Sequence, residues 1–260
     1  MESRKIETRG GRTKVRVYEG GSGETLVFLH GASGLIQDDP FLARLAERYR
    51  VVAPLLPGYE DSEGEESIHD MLAITLHSFD VLDALEIRNP ILVGHSMGGM
   101  IAAEMAALCP HEIEKLALIA PAGLWLDEHP IPDLFALLPM ELPALLFHDV
   151  AKGFALMAAG ANFEDDEFLK EFLIANSRRL GTAGKMLFPI PNRRLSERIY
   201  RVTAQTVLIW GQNDKLIVPA YGSKFRELLP QAEWVEVEAA GHMVPYEQPD
   251  AVLDGISRLG

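Results

Sequence analysis

A serine hydroxyl becomes a nucleophile when a base stands ready to take its proton, and Ser96 lies in a segment that would expose it. Residues 94–98 read Gly94-His95-Ser96-Met97-Gly98. A short apolar run, 91–93, enters this segment, and a run rich in small residues at helical spacing, 97–108, leaves it. In so tight a strand–turn–helix junction the residues two before and two after the serine crowd each other. Glycine at 94 and 98 removes the Cβ atoms that would collide. The hydroxyl then projects from the carboxyl end of a sheet, above a helix N-terminus whose free N–H groups favour a developing anion.

The base and its orienter must follow in the order Ser, then Asp or Glu, then His. Of eight histidines, only His242 lies in a loop after the last strand-like run, in irregular backbone marked by Gly241 and Pro245. His30 and His95 flank glycines within other motifs and read as structural. His69, His77, His111, His129 and His148 read as solvated or capping residues. The strand-like run 207–210 ends in Gly211-Gln212-Asn213-Asp214, which makes Asp214 the carboxylate to hold the His242 ring. The rival, Asp127, stands further from its strand, beyond Pro121-Ala122-Gly123-Leu124-Trp125. No histidine belongs to an H-x-H or H-E-x-x-H pair, so the pattern calls for no metal and no other cofactor.

A tetrahedral intermediate needs two preset N–H donors. Met97, directly after the serine, supplies one. The other falls in His30-Gly31-Ala32-Ser33-Gly34, after the apolar run 25–29, and is assigned to Ala32, give or take one residue.

These residues need a rigid frame. Strand-like runs at 5–8, 14–18, 25–29, 51–53, 91–93, 115–120, 207–210 and 233–237 alternate, from 25 onward, with helical patterns at 41–49, 67–85, 97–108, 218–229 and 251–259. That rhythm predicts an α/β fold, a mostly parallel twisted sheet with helices on both faces. In the helix at 67–85, Ile68, Leu72, Thr75, Leu76, Phe79 and Leu82 share the face expected to be buried. The rhythm breaks over 123–195, which is rich in Leu, Phe, Met and Pro with helix-like pieces at 133–138, 143–159 and 164–180. The expected organisation is one core domain, 1–122 with 196–260, carrying a helical insertion at 123–195.

The net charge of −14 argues against nucleic acid or an anionic membrane as partner. A single cysteine, Cys109, forms no intrachain disulfide. The polar start has no apolar core of a signal peptide, and the apolar stretch 135–147 is broken by Pro139, Glu141 and Pro143. The expectation is a cytoplasmic protein acting on a small molecule, with monomer and homodimer both open.

With the segments LVFLHGASG (26–34), VVAPLLPGYEDS (51–62), ILVGHSMGG (91–99), VLIWGQND (207–214) and AGHMVPYEQPDAV (240–252), the chain resembles the α/β-hydrolase superfamily, particularly its bacterial ester- and lactone-cleaving members. The resemblance implies a serine hydrolase in which Ser96, Asp214 and His242 cleave a carboxylic ester, lactone or thioester, and a helical cap at 123–195. Haloalkane dehalogenases and epoxide hydrolases carry Asp at the Ser96 position and are disfavoured. Meta-cleavage-product hydrolases, which cut C–C bonds, commonly have Trp after the histidine. Met243 stands there in this chain, so C–C cleavage is the alternative. Proline iminopeptidases use cap carboxylates, which Glu164, Asp165 and Asp166 could mimic, but their oxyanion-loop pattern is not matched. A small-molecule receptor on this fold is a further alternative. The cap's apolar residues are Leu124, Trp125, Phe135, Leu138, Met140, Leu146, Phe147, Met157, Phe163 and Phe188, with Trp125 the first choice to touch substrate. A largely apolar substrate follows from that inventory.

Overall fold

The computed structural model describes residues 1–36, 38–158, 161–162, 164–188 and 192–260. Among them one sheet is formed by β1 (Glu2–Glu7), β2 (Lys14–Gly20), β3 (Thr25–Leu29), β4 (Arg50–Pro54), β5 (Ile91–His95), β6 (Lys115–Ile119), β7 (Gln205–Gly211) and β8 (Glu233–Val237). Their spatial order is β1-β2-β4-β3-β5-β6-β7-β8. The pairs β1/β2 and β2/β4 are antiparallel, and every pairing from β4 through β8 is parallel. β1 begins earlier than its apolar content suggests. It is an edge strand, exposed at all positions but Ile6, so ladder pairing and not hydrophobicity marks its extent.

All five residues of β5, and all of β7 after Gln205, are buried, so the middle of the sheet is covered on both faces. The helices of the core are α1 (Pro40–Leu45), α2 (Met71–Ala84) and α3 (Met97–Leu108). The region between β6 and β7 holds α4 (Leu142–Leu146), α5 (Val150–Met157) and α6 (Asp166–Leu187), and the chain closes with α7 (Pro219–Leu228), α8 (Val244–Glu247) and α9 (Pro249–Ile256). α3 packs on β5, β6 and α2, while α1, α8 and α9 form a second group with α9 against β7. Six small residues of α3, from Gly98 to Ala107, are buried. They let the helix axis approach the strands closely.

The chain runs from β3 outward to β4, then crosses back to place β5 on the other side of β3. The carboxyl ends of β3 and β5 are therefore neighbours whose following loops diverge, the place where open α/β sheets form a crevice. Pairing of Leu29 with Gly94 brings the loops at 30–34 and 94–98 side by side at that point.

Between β6 and β7 no strand is found among the described residues, and a single bridge among them, between Gly123 and Asn192, joins the two ends of this segment. The expected helix at 143–159 is two helices. Phe147 is extended (ψ 147°), and Asp149 then caps α5 by accepting from Lys152 N–H. α6 runs past 180, through Gly181 and Gly184, because burial of Thr182, Ala183, Met186 and Leu187 outweighs the low helix propensity of glycine. Its Arg178 forks onto Glu65 at 2.5 and 2.8 Å and also reaches the carbonyls of Glu60 and Ser62, seating α6 on the loop after β4.

The buried face of α2 differs from the expected one. Met71, Ile74, Thr75, Ser78, Val81 and Leu82 are buried, whereas Leu72 and Leu76 are about half exposed. His77 lies inward, with Nδ1 3.3 Å from Thr13 Oγ1, and burial pushes its pKa down to about 4. It is not the solvated residue expected, because a contact 64 positions away accommodates its ring. Among the described residues no helix is long and apolar enough to cross a membrane.

Candidate active site

Ser96 has φ 55° and ψ −116°, a conformation that costs a side-chain-bearing residue roughly 1–3 kcal/mol. The surroundings hold it there. Its N–H donates to Ile119 O (2.9 Å), and its carbonyl accepts from Met100 N–H and Ala122 N–H, both at 3.0 Å. Space is the second restraint. A Cβ on Gly94 would stand 2.4 Å from Gly98 O, and one on Gly98 would stand 2.0 Å from Leu29 O. Neither position admits any residue but glycine.

His242 reaches the serine from the loop after β8. Its Nε2 lies 2.8 Å from Ser96 Oγ, and its Nδ1 lies 2.8 Å from Asp214 Oδ2. A carboxylate only accepts, so the proton of the second bond sits on Nδ1, leaving Nε2 free to accept from the serine hydroxyl. The other oxygen of Asp214 accepts from Leu216 N–H and Ile217 N–H, both at 2.9 Å. Those bonds lock the carboxylate's rotation. All three side chains are buried. Asp127, the rival acid, is exposed and accepts from the Trp125 indole at 2.9 Å.

Two further histidines hold the frame. His30 Nδ1 donates to Gly31 O (2.8 Å) and its Nε2 accepts from Leu56 N–H (3.1 Å), tying the loop after β3 to the loop after β4. His95 Nε2 donates to His242 O at 2.9 Å. Burial pushes the His30 pKa down to about 4 and the His95 pKa down to about 3, the latter helped by the neighbouring His242, so both rings are neutral.

The loop 31–34 is closed by Gly34 N–H donating to Gly31 O (3.1 Å). It passes so near the serine that a Cβ on Gly31 would stand 3.3 Å from Ser96 Cβ. Ala32 O accepts from Tyr59 O–H (3.0 Å), and Ser33 O accepts from Arg179 of α6 (3.0 Å). Met97 is the first residue of α3, so its N–H has no partner within the helix. Ala32 N–H and Met97 N–H thus belong to the two segments that border Ser96.

Above Ser96 lies a cleft that opens in part to solvent. Ala122, Ile131, Pro132, Leu134, Phe135, Leu187, Leu216 and Ile217 line it, with Asp133 the one carboxylate among the described residues. Asp133 is engaged locally, accepting from Phe135 N–H at 3.0 Å. Trp125, the expected substrate contact, is not in this lining, because its indole turns to Asp127. Of the other expected apolar residues, Phe135 lines the cleft, Leu124, Leu146 and Phe147 are buried, and Leu138, Met140, Met157 and Phe188 are exposed. Phe163 lies outside the described residues. Leu216 and Ile217 carry no separate signal in the sequence, though they stand two and three residues after Asp214 and are carried to the site with it.

The model of the alpha/beta hydrolase family matches residues 26–254. The 2-hydroxy-6-oxo-6-phenylhexa-2,4-dienoate hydrolase of Burkholderia cepacia is 26% identical over 269 residues, covering 92% of this chain and 88% of that protein. Lipase 1 of Psychrobacter immobilis is 26% identical over 242 residues, covering 90% and 75%. The solved structure of 2-hydroxy-6-oxo-6-phenylhexa-2,4-dienoate hydrolase from Rhodococcus sp. strain RHA1 superposes with a TM-score of 0.77 at 19% identity, covering 99% of this chain and 98% of that one. A match over so much of the chain, together with the sheet order and the turn at Ser96, means that the chain belongs to the alpha/beta hydrolase family.

Proposed function

We propose that the protein is a serine hydrolase that cleaves a carboxylic ester of a small, largely apolar substrate through an acyl-enzyme. The observation that carries this reading is the unbroken line Ser96 Oγ–His242–Asp214, two buried contacts of 2.8 Å each. In the first step Ser96 Oγ adds to the ester carbonyl as His242 Nε2 takes its proton. Asp214 stabilises the imidazolium that forms. Ala32 N–H and Met97 N–H meet the oxyanion. Collapse expels the alcohol, which leaves with the proton from Nε2. A water then repeats the sequence on the acyl-serine, and the acid is released.

The lining of the cleft supports an apolar acyl or alcohol group. The β6–β7 insertion acts as a cap, since Ile131 to Phe135 and Leu187 contribute to that lining. A lactone or thioester presents the same carbonyl to the same groups.

The likeness to the dienoate hydrolases supports a second reading, cleavage of a carbon–carbon bond. Met243 after the histidine favours the ester. Parallel assays on p-nitrophenyl butyrate and on 2-hydroxy-6-oxo-6-phenylhexa-2,4-dienoate test the two. Faster turnover of the ester, with a fluorophosphonate bound at Ser96, is the expected result. Turnover of the dienoate alone would replace the ester reading with the second, and turnover of neither, with no label at Ser96, would remove both.

A further inference from the structure

Glu247 lies five residues after His242, and its side chain is buried. One carboxylate oxygen accepts from Gly241 N–H at 2.6 Å. The other accepts from His148 N–H at 2.8 Å and Asp149 N–H at 3.0 Å, at the entrance to α5. Each of these three partners is a main-chain N–H, and they belong to two segments about a hundred positions apart. A buried carboxylate is costly unless its oxygens are hydrogen-bonded, and here one group satisfies donors from both sides at once.

The two segments are in direct contact. A Cβ on Gly241 would stand 2.7 Å from Leu146 O and 2.8 Å from His148 N. On the other side of His242, Met243 N–H donates to Leu146 O at 3.0 Å. His242 is thus flanked by two main-chain attachments to residues 146–149, and Glu247 makes one of them. The ring must meet Ser96 and Asp214 together, each at 2.8 Å, and its loop has no regular secondary structure to hold it before α8.

We propose that Glu247 is a positioning residue, a carboxylate strut that sets His242 against Ser96 by bonding the histidine loop to the start of α5. The proposal rests on the reading of Ser96, His242 and Asp214 as the catalytic groups. It makes the α4–α5 half of the insertion part of the support of the base. Glutamine is the informative replacement. It has the same shape, but its single carbonyl oxygen can serve one side only, and its amide NH2 then faces an N–H on the other.

The test compares wild type, Glu247→Gln and His148→Pro on p-nitrophenyl butyrate, with rates normalised to the sites labelled by a fluorophosphonate. His148→Pro attacks the same bond from the α5 end, since it removes one N–H and sets a ring methylene where that N–H meets Glu247, and Phe147, at φ −114° and ψ 147°, has the backbone that precedes a proline. The expected result is a kcat per labelled site lowered roughly 10- to 100-fold in Glu247→Gln, with KM little changed, and a comparable fall in His148→Pro. A role in stability alone would lower the melting temperature and leave kcat per labelled site and the rate of Ser96 labelling at wild-type values, which overturns the proposal. If Glu247→Gln fails to fold, His148→Pro decides by the same criterion. A wild-type protein that takes up no label at Ser96 would overturn the catalytic reading and this proposal with it. Normal wild-type labelling with unimpaired variants would overturn this proposal alone.

Discussion

His95 Nε2 donates a hydrogen bond to the main-chain oxygen of His242, 2.9 Å away and 147 positions later in the chain. The residue before Ser96, the proposed nucleophile, thereby fixes the backbone of His242, the proposed acceptor of its proton. Replacing His95 by Phe leaves that buried carbonyl without its donor. A loss of about 1–3 kcal/mol in unfolding free energy is expected. A fall in kcat of roughly tenfold should accompany it as His242 loosens. Urea denaturation and ester hydrolysis by the same preparation check both, and an unchanged kcat would show that the bond serves stability only.

Ser96 combines the proposed chemical role with backbone strain, and the two separate by substitution. Ser96→Ala should lower turnover by on the order of 10⁴ or more while the fold persists. Ser96→Gly should be equally inactive and should melt at a higher temperature than Ser96→Ala, because glycine adopts φ 55° without the Cβ penalty. Thermal denaturation of the two variants is the measurement. Equal melting temperatures would mean that the surrounding bonds relax the turn.

Asp214→Asn should reduce kcat by roughly 10⁴. The amide oxygen will stay with Leu216 N–H and Ile217 N–H, which need an acceptor. The NH2 must then face His242 Nδ1. That contact favours the tautomer with the proton on Nε2, which cannot accept from Ser96. Hydrolysis of p-nitrophenyl butyrate by the purified variant is the measurement, and a wild-type rate would transfer the role to another carboxylate.

Three buried neutral histidines set an acid limit on stability. The pKa values of His30 and His77 are pushed down to about 4, and that of His95 to about 3. In the unfolded chain a histidine titrates near 6.5. Between those values the unfolded chain binds more protons than the folded one, so stability falls as pH falls. The contribution is fully present above about pH 6.5 and is lost progressively below it. From pH 7 to pH 5 the loss is about 2 kcal/mol for each ring. Asp39, whose carboxyl is raised by burial, acts in the opposite sense. Urea denaturation at pH 7 and pH 5 should show the fall, and His77→Gln should reduce it. An identical fall in that variant would remove His77 from the account.

Substrate choice should follow the cleft and not Trp125. Phe135→Ala enlarges the space over Ser96 and should shift the preferred acyl chain toward longer esters. Trp125→Ala, whose indole is held by Asp127, should leave the ranking unchanged. A series of p-nitrophenyl esters reads both, and a reversed pattern would move the acyl site toward the Trp125 side of the insertion.

The α/β alternation and the turn at Ser96 could be read from the chain alone because their causes are local. Gly94 and Gly98 are needed within two residues of the serine, and strands buried on both faces appear as unbroken apolar runs. Ser96, Asp214 and His242 could be singled out by their order and by the strand ends that precede them. That His242 and Ser96 lie 2.8 Å apart across 146 positions is a property of the sheet order, which sets β5, β6, β7 and β8 side by side in parallel and carries the loops after β5 and β8 to one edge. Where partners are distant and their match is steric, spacing carried no signal. The inward turn of His77 depends on Thr13, the outward turn of Trp125 on Asp127, and the burial of Glu247 on three N–H groups supplied by two segments. A side chain's face on a helix or loop is chosen by what the rest of the chain brings against it, and only the folded molecule assembles that neighbour.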